Sequence, residues 1–171
     1  MKLIRLTEET EIKSFDCGDA DLNDFIMHDA KEFFSKKIAN TFLVVDGDNI
    51  VAYFSLLNDK VSKADAANNT WRKLRSNFPH EKHFCSYPAI KLGRFAVSVD
   101  YRCHGLGSNI MDYLKLLLFK ASSYSAFRFL TVDAYISAIP FYEKNGFKTL
   151  LPEEDDEHTR TMYFDILTLE N

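Results

Sequence analysis

The sequence has no C-x-x-C pair, no long apolar run and no excess of basic charge, and each absence removes a class of protein. Its three cysteines, Cys17, Cys85 and Cys103, are an odd set, read as free thiols of a reducing compartment and not as a disulfide framework. His80 and His83 lack cysteine partners at zinc spacing, so no metal site is expected. The opening Met1-Lys2-Leu3-Ile4-Arg5 turns polar by Thr7-Glu8-Glu9, without the apolar core of a signal peptide. Nothing approaches the roughly 18 apolar residues that suggest a membrane span. A cytoplasmic protein with no membrane attachment is expected. The formal net charge of −4 provides no global positive field to attract nucleic acid. Arg72, Lys73 and Arg75 form the densest basic cluster, which reads first as a solvated helix face. Glycine is scarce at six residues, so two in one turn ask for a reason.

Apolar material is ample: 46% of the 171 residues are hydrophobic, with 15 Phe and 8 Tyr. That suffices for the core of one domain. Lys2 to Leu6 reads as a first strand. Asp19 is a good N-cap for a helix whose apolar positions are Leu22, Phe25, Ile26, Ala30, Phe33 and Phe34. Thr41 to Val45 and Ile50 to Phe54 flank Asp46-Gly47-Asp48-Asn49 as a hairpin. Residues 58 to 88 read as a polar, irregular insertion with a short helix over Asn69 to Asn77. Its aromatics, Trp71, Phe78 and Phe84, are expected in the core more readily than in a lid or dimer contact.

Lys91 to Val99 is a strong strand followed by a helix with apolar positions Ile110, Leu114, Leu117, Leu118 and Ala121. Strands follow at Phe127 to Ala134, Phe147 to Leu151 and Thr161 to Leu167. A short helix over Ala138 to Lys144 precedes Asn145-Gly146, where Gly146 suits a left-handed C-cap. This order predicts an α/β fold with a mixed central sheet of six to seven strands, helices on both faces, and central strands parallel across crossovers.

Two of the six glycines fall in Arg102-Cys103-His104-Gly105-Leu106-Gly107, between a strand and a helix. Glycine permits positive φ and close backbone approach, and a helix start offers amide groups aligned with its dipole. Such a turn suits a diphosphate, although an ordinary tight connection also accounts for two glycines. A Walker loop is absent, and Ile110 stands where a dinucleotide fingerprint needs Gly or Ala.

Arg102-x-x-Gly105-x-Gly107, after the strand Leu92-Gly93-Arg94-Phe95-Ala96-Val97, resembles the coenzyme A loop of the GNAT family of N-acetyltransferases. Ala138-Ile139-Pro140-Phe141-Tyr142-Glu143-Lys144-Asn145-Gly146-Phe147 resembles that family's second signature, in the expected order. The resemblance implies the GNAT fold, acetyl-CoA as cosubstrate, and direct attack of an amine on the thioester. It further implies that Arg102 and the backbone amides of Cys103, His104, Gly105, Leu106, Gly107 and Ser108 hold the diphosphate. The pantetheine arm would pair with Phe95, Ala96 and Val97, with the Val97 amide facing the carbonyl oxygen, and Tyr142 would donate to the leaving sulfur. Without the resemblance, Tyr142 reads as a core aromatic beside Phe141.

No base is legible, since Asp133 and His104, though within reach in principle, both read more readily as solvated surface residues. The acceptor stays open among a small molecule, a protein amine and an aminoacyl-tRNA. Phe15-Asp16-Cys17-Gly18-Asp19-Ala20-Asp21-Leu22-Asn23-Asp24-Phe25 resembles the toxin-like branch that acetylates aminoacyl-tRNA, which implies a small antitoxin partner. Lys31, Lys36, Lys37, Arg72, Lys73 and Arg75 are the cations available for RNA. A homodimer, and a coenzyme-binding module without turnover, are the remaining alternatives. If the glycine turn holds the coenzyme, Gly107→Glu places a carboxylate against the diphosphate, and calorimetric titration should show acetyl-CoA binding lost in a folded variant.

Overall fold

The computed structural model describes residues 1–76, 78, 84–102, 105–120, 125–151 and 157–170. Seven strands run in the order β1-β2-β3-β4-β5-β7-β6. They are β1 Lys2–Arg5, β2 Asn40–Asp46, β3 Asn49–Ser62, β4 Ser86–Val97, β5 Phe129–Tyr135, β6 Lys148–Thr149 and β7 Thr159–Asp165. The helices are α1 Ala20–Asp24, α2 Ala30–Ser35, α3 Asn68–Ser76, α4 Leu106–Lys120 and α5 Ile139–Lys144. The mixed α/β architecture is therefore as the element order predicts. β4 and β5 pair in parallel, while β1–β2, β2–β3, β5–β7 and β6–β7 are antiparallel. Among the described residues no helix is long and apolar enough to cross a membrane.

The chain divides into two compact units, each discontinuous in sequence. The first comprises Met1–Leu57 and Leu92–Ile110. Here β2 and β3 form the predicted hairpin, with Asp46 opposite Asn49 and Gly47 at φ +58° in the two-residue turn. Asp19 caps α1 by accepting the Leu22 amide at 3.0 Å. Between α1 and α2 the chain makes a π turn, Phe25–Asp29, closed by the Ala30 amide on the Phe25 carbonyl. The extra residue brings Phe25, Ile26 and Ala30 together into a core with Leu6, Cys17, Leu43, Ile50, Tyr53 and Ala96. Tyr53 is fully buried there, and its hydroxyl donates to the Leu22 carbonyl at 2.7 Å, so burying the phenol leaves no orphaned polar atom.

The second unit comprises Asn58–Lys91 and Met111–Asn171. Its core gathers Val61, Trp71, Leu74, Tyr87, Ala89, Phe129, Leu150 and Tyr163. Trp71 and Leu74 form the buried face of α3, while Arg72, Lys73 and Arg75 lie on its exposed face. Phe78 stacks on Tyr87 with ring centroids 3.7 Å apart. Phe84, by contrast, is 61% exposed, against the expectation of burial; it stands just before β4, outside any packed face.

The segment read as irregular carries strand at both ends, since β3 runs on to Ser62 and β4 starts at Ser86. Exposed and half-buried positions alternate over Asn58 to Lys60, so polar residues there mark an outward strand face and not a loop. The strand expected over Phe147 to Leu151 shortens to Lys148–Thr149.

Gly146 has φ +84° just beyond the end of α5, and a Cβ there would stand 3.2 Å from a Phe164 ring carbon. Gly47 has a similar torsion with nothing within 4 Å. In urea unfolding, Gly47→Ala should cost about 1 kcal/mol for the left-handed backbone alone. Gly146→Ala should cost about 1 kcal/mol more, because the Phe164 ring must also move.

Candidate active site

β4 delivers the chain to the glycine turn. The Ser98 amide donates to the Val51 carbonyl at 2.9 Å, and Val99–Tyr101 makes one turn of 3-10 helix. Gly105 then takes φ +72° with open space where a Cβ would project, so its glycine is needed for the torsion. The Asn109 amide donates to the Gly105 carbonyl at 3.1 Å, within the first turn of α4. Leu106 and Gly107 open this 15-residue helix, at the positive end of its dipole. Gly107 is helical, so what it contributes is a missing side chain at that mouth. Cys103 and His104 lie outside the described residues. The Arg102 guanidinium donates to the Cys17 carbonyl, a partner the sequence did not suggest.

Along β4, Ala96 is buried in the same core cluster as Phe25 and Tyr53, while Phe95 and Val97 are half-buried. The β4–β5 register ends at Lys91 opposite Thr131, although β4 continues to Val97 and β5 to Tyr135. Gly93 sits where a Cβ would come within 2.6 Å of the Leu57 side chain, so this stretch of strand packs tightly at its start.

Tyr142 lies on α5 in the second unit. It is 7% exposed, with edge-on contacts to Phe141 and Phe147 at 5.2 and 5.3 Å. Burial pushes its hydroxyl far above the usual phenol range, so the group remains a neutral donor. The C-terminal end of α5 is held by several bonds. The Asn145 side-chain amide donates to the Phe141 carbonyl at 2.7 Å, and the Phe147 amide to the Tyr142 carbonyl at 3.0 Å. Lys115, itself buried, donates to the Asn145 carbonyl at 3.2 Å, pairs with Asp112 at 2.7 Å and lies 5.0 Å over the Phe164 ring. A cation there opposes the negative end of the helix dipole.

The sequence profile of the acetyltransferase (GNAT) domain matches residues 38–149, about two thirds of the chain. The chain belongs to the GNAT acetyltransferase family. Solved structures with the same GNAT fold include AtaT complexed with acetyl-methionyl-tRNAfMet, at 20% identity and TM-score 0.79, covering 99% of this chain and 96% of that one. A tyrosine-to-phenylalanine mutant of KacT matches at 22% identity and TM-score 0.78, over 99% and 98% of the two chains. AtaTR bound with acetyl-CoA matches at 20% and 0.78, over 99% and 95%.

As a GNAT acetyltransferase the protein uses acetyl-CoA as cosubstrate. The positive end of the α4 dipole has the sign that suits an anion. Asp133 is already engaged, as the partner of Lys91 in an ion pair and the acceptor of the Thr161 hydroxyl at 3.1 Å. These contacts engage both of its carboxylate oxygens. Among the described residues no cluster of three or more metal-ligating side chains forms. Lys115 and Asn145 were missed by sequence reasoning. The Asp112-x-x-Lys115 spacing was the available signal, but a lysine on an amphipathic helix ordinarily reads as solvated.

A phenol kept neutral by burial makes a spectroscopic prediction. Titrated at 295 nm, wild type and Tyr142→Phe should show the same phenolate amplitude up to about pH 11, because Tyr142 does not ionise in the range where exposed tyrosines do, near pH 10.

Proposed function

We propose that the whole chain acts as one acetyltransferase domain that acetylates the α-amino group of an aminoacyl-tRNA and is controlled by a small antitoxin protein. The observation that carries this reading is the likeness, across 99% of the chain, to AtaT complexed with acetyl-methionyl-tRNAfMet. A similar AtaT structure is bound to the C-terminus of the antitoxin AtaR. In the proposed site, Arg102 and the amides from Cys103 to Ser108 receive the diphosphate. The pantetheine arm runs along Phe95, Ala96 and Val97, beyond the point where the β4–β5 ladder ends.

The neutral amine attacks the thioester carbonyl carbon, and the Val97 amide donates to the oxygen as it becomes anionic. Collapse of the tetrahedral adduct breaks the C–S bond, and the electron pair leaves on sulfur. The Tyr142 hydroxyl hydrogen-bonds to the departing thiolate. Because burial makes this phenol a weaker acid than a thiol, it stabilises the sulfur without surrendering its proton for long, and the proton lost by the amine passes through water. An α-amino group, with an ordinary pKa near 8, is about one fifth neutral near pH 7.4, and water suffices to take its proton without a dedicated base. That suits a site where Asp133 is tied up by Lys91.

The test is transfer of labelled acetyl from acetyl-CoA to methionyl-tRNA, with free methionine and small amines as competing acceptors. Wild type should acetylate the charged tRNA. Tyr142→Phe should turn over about tenfold more slowly or worse, with acetyl-CoA affinity within about twofold. Acetylation of small or protein amines alone, which the net charge of −4 would favour, overturns the acceptor but not the enzyme class. Unchanged turnover in Tyr142→Phe takes that residue out of the mechanism.

A further inference from the structure

The segment Phe15 to Asn23 is tied to the chain that leads into the glycine turn by hydrogen bonds within the first unit. The Val99 amide donates to the Asp16 carbonyl at 2.9 Å, and the Arg102 guanidinium donates to the Cys17 carbonyl. Val99 also packs against the backbone of Gly18, where a Cβ would lie 3.5 Å from its methyl carbon. Both carbonyls that grip the loop belong to a small turn whose shape is set by two side chains. Oδ1 of Asp16 accepts the Gly18 amide at 2.7 Å and the Asn23 side-chain amide at 2.8 Å. Oδ1 of Asn23 in turn accepts the Cys17 amide at 2.9 Å. Gly18 takes φ +73° so that the turn can close.

We infer that Asp16 and Asn23 are positioning residues for coenzyme binding, a clasp that orients the Cys17 carbonyl and through it Arg102 and the entry to α4. The inference rests on the diphosphate binding at that helix start. The charges agree with the geometry. Asp16 is held below the usual carboxylate range chiefly by the Gly18 amide, then by the Asn23 amide, with the Arg102 charge adding to both. Asp16 thus stays ionised and shares the Arg102 cation. The Cys17 thiol takes no part in the clasp: it is buried, and desolvation raises it above the usual thiol range. It is the backbone of Cys17, flanked by Asp16 and Gly18, that reaches the loop. The remaining clasp residue, Asn23, is delivered by the first turn of α1, whose N-cap Asp19 starts the helix within the same turn.

A diphosphate-specific role separates this clasp from a general structural one. S-acetylpantetheine carries the same thioester and arm as acetyl-CoA but no diphosphate, so a displaced glycine turn should affect only acetyl-CoA. Both thioesters are titrated against wild type, Asn23→Ala, Asp16→Ala and Asp16→Asn, each first checked for a cooperative thermal transition. Wild type should prefer acetyl-CoA. Asn23→Ala and Asp16→Ala should each weaken acetyl-CoA about tenfold, the effect of losing one or two hydrogen bonds, while S-acetylpantetheine stays within about twofold. Asp16→Asn keeps an acceptor oxygen for Gly18 and Asn23 and should recover most of that loss.

Equal weakening of both thioesters, or acetyl-CoA affinity unchanged in folded Asn23→Ala, overturns the clasp. Tighter acetyl-CoA binding by both neutral Asp16 variants also overturns it, because Asp16 would then act only by repelling the anion. A wild type with no preference between the thioesters removes the diphosphate site itself, and that result is distinct from a preference which survives all three substitutions.

Discussion

Because Gly105 turns with φ +72°, the chain enters α4 at Leu106 from a left-handed backbone position that glycine holds without strain. An L side chain at that torsion is strained by about 1–2 kcal/mol, and relieving the strain would move the point where the ladder starts. The proposed coenzyme site depends on this one turn. Helix α4 buries Ile110, Met111, Leu114 and Leu118. The chain entering the turn is equally tied, by Ser98 to β3 and by Val99 and Arg102 to the Asp16–Cys17 backbone. Anion binding by amides depends on such fixation, since dipoles already oriented need not reorganise when the charge arrives.

The second unit presents a different physical problem, how to keep one hydroxyl neutral and in place. Tyr142 sits among Phe141 and Phe147, where loss of its proton would create a charge in a poorly solvated place. Its helix is only six residues long and so gains little from its own ladder. Stability comes instead from contacts at the helix's C-terminal end: the left-handed Gly146 against Phe164, the Asn145 side chain on Phe141, and the buried Lys115 ammonium on the Asn145 carbonyl. Burying that lysine is tolerable because Asp112 and the Phe164 face compensate its charge.

Much of this was legible from local pattern. The glycine turn, the hairpin at Gly47, the Asp19 cap and the left-handed Gly146 all arise from backbone chemistry acting within a few residues, and each stands where expected. The acetyltransferase family was legible from two short motifs in the right order. The ends of β3 and β4 were not, because a strand whose outward residues are polar resembles a loop until its partner is known. Nor was the π turn at Phe25–Asp29, since apolar spacings of four and five residues differ too little to reveal an inserted residue.

By itself the sequence determined the order of the elements, the turns that need glycine and the acetyltransferase family, because these depend on torsions and on neighbours a few positions apart. Only the tertiary structure decided which distant groups serve them. Arg102 spends a hydrogen bond on Cys17, 85 positions away, and Lys115 turns inward to Asn145, 30 positions away. Asp133 is engaged by Lys91 through the placement of β4 beside β5. The physical reason is that a charged side chain takes its nearest partner in space, and that partner is created by packing.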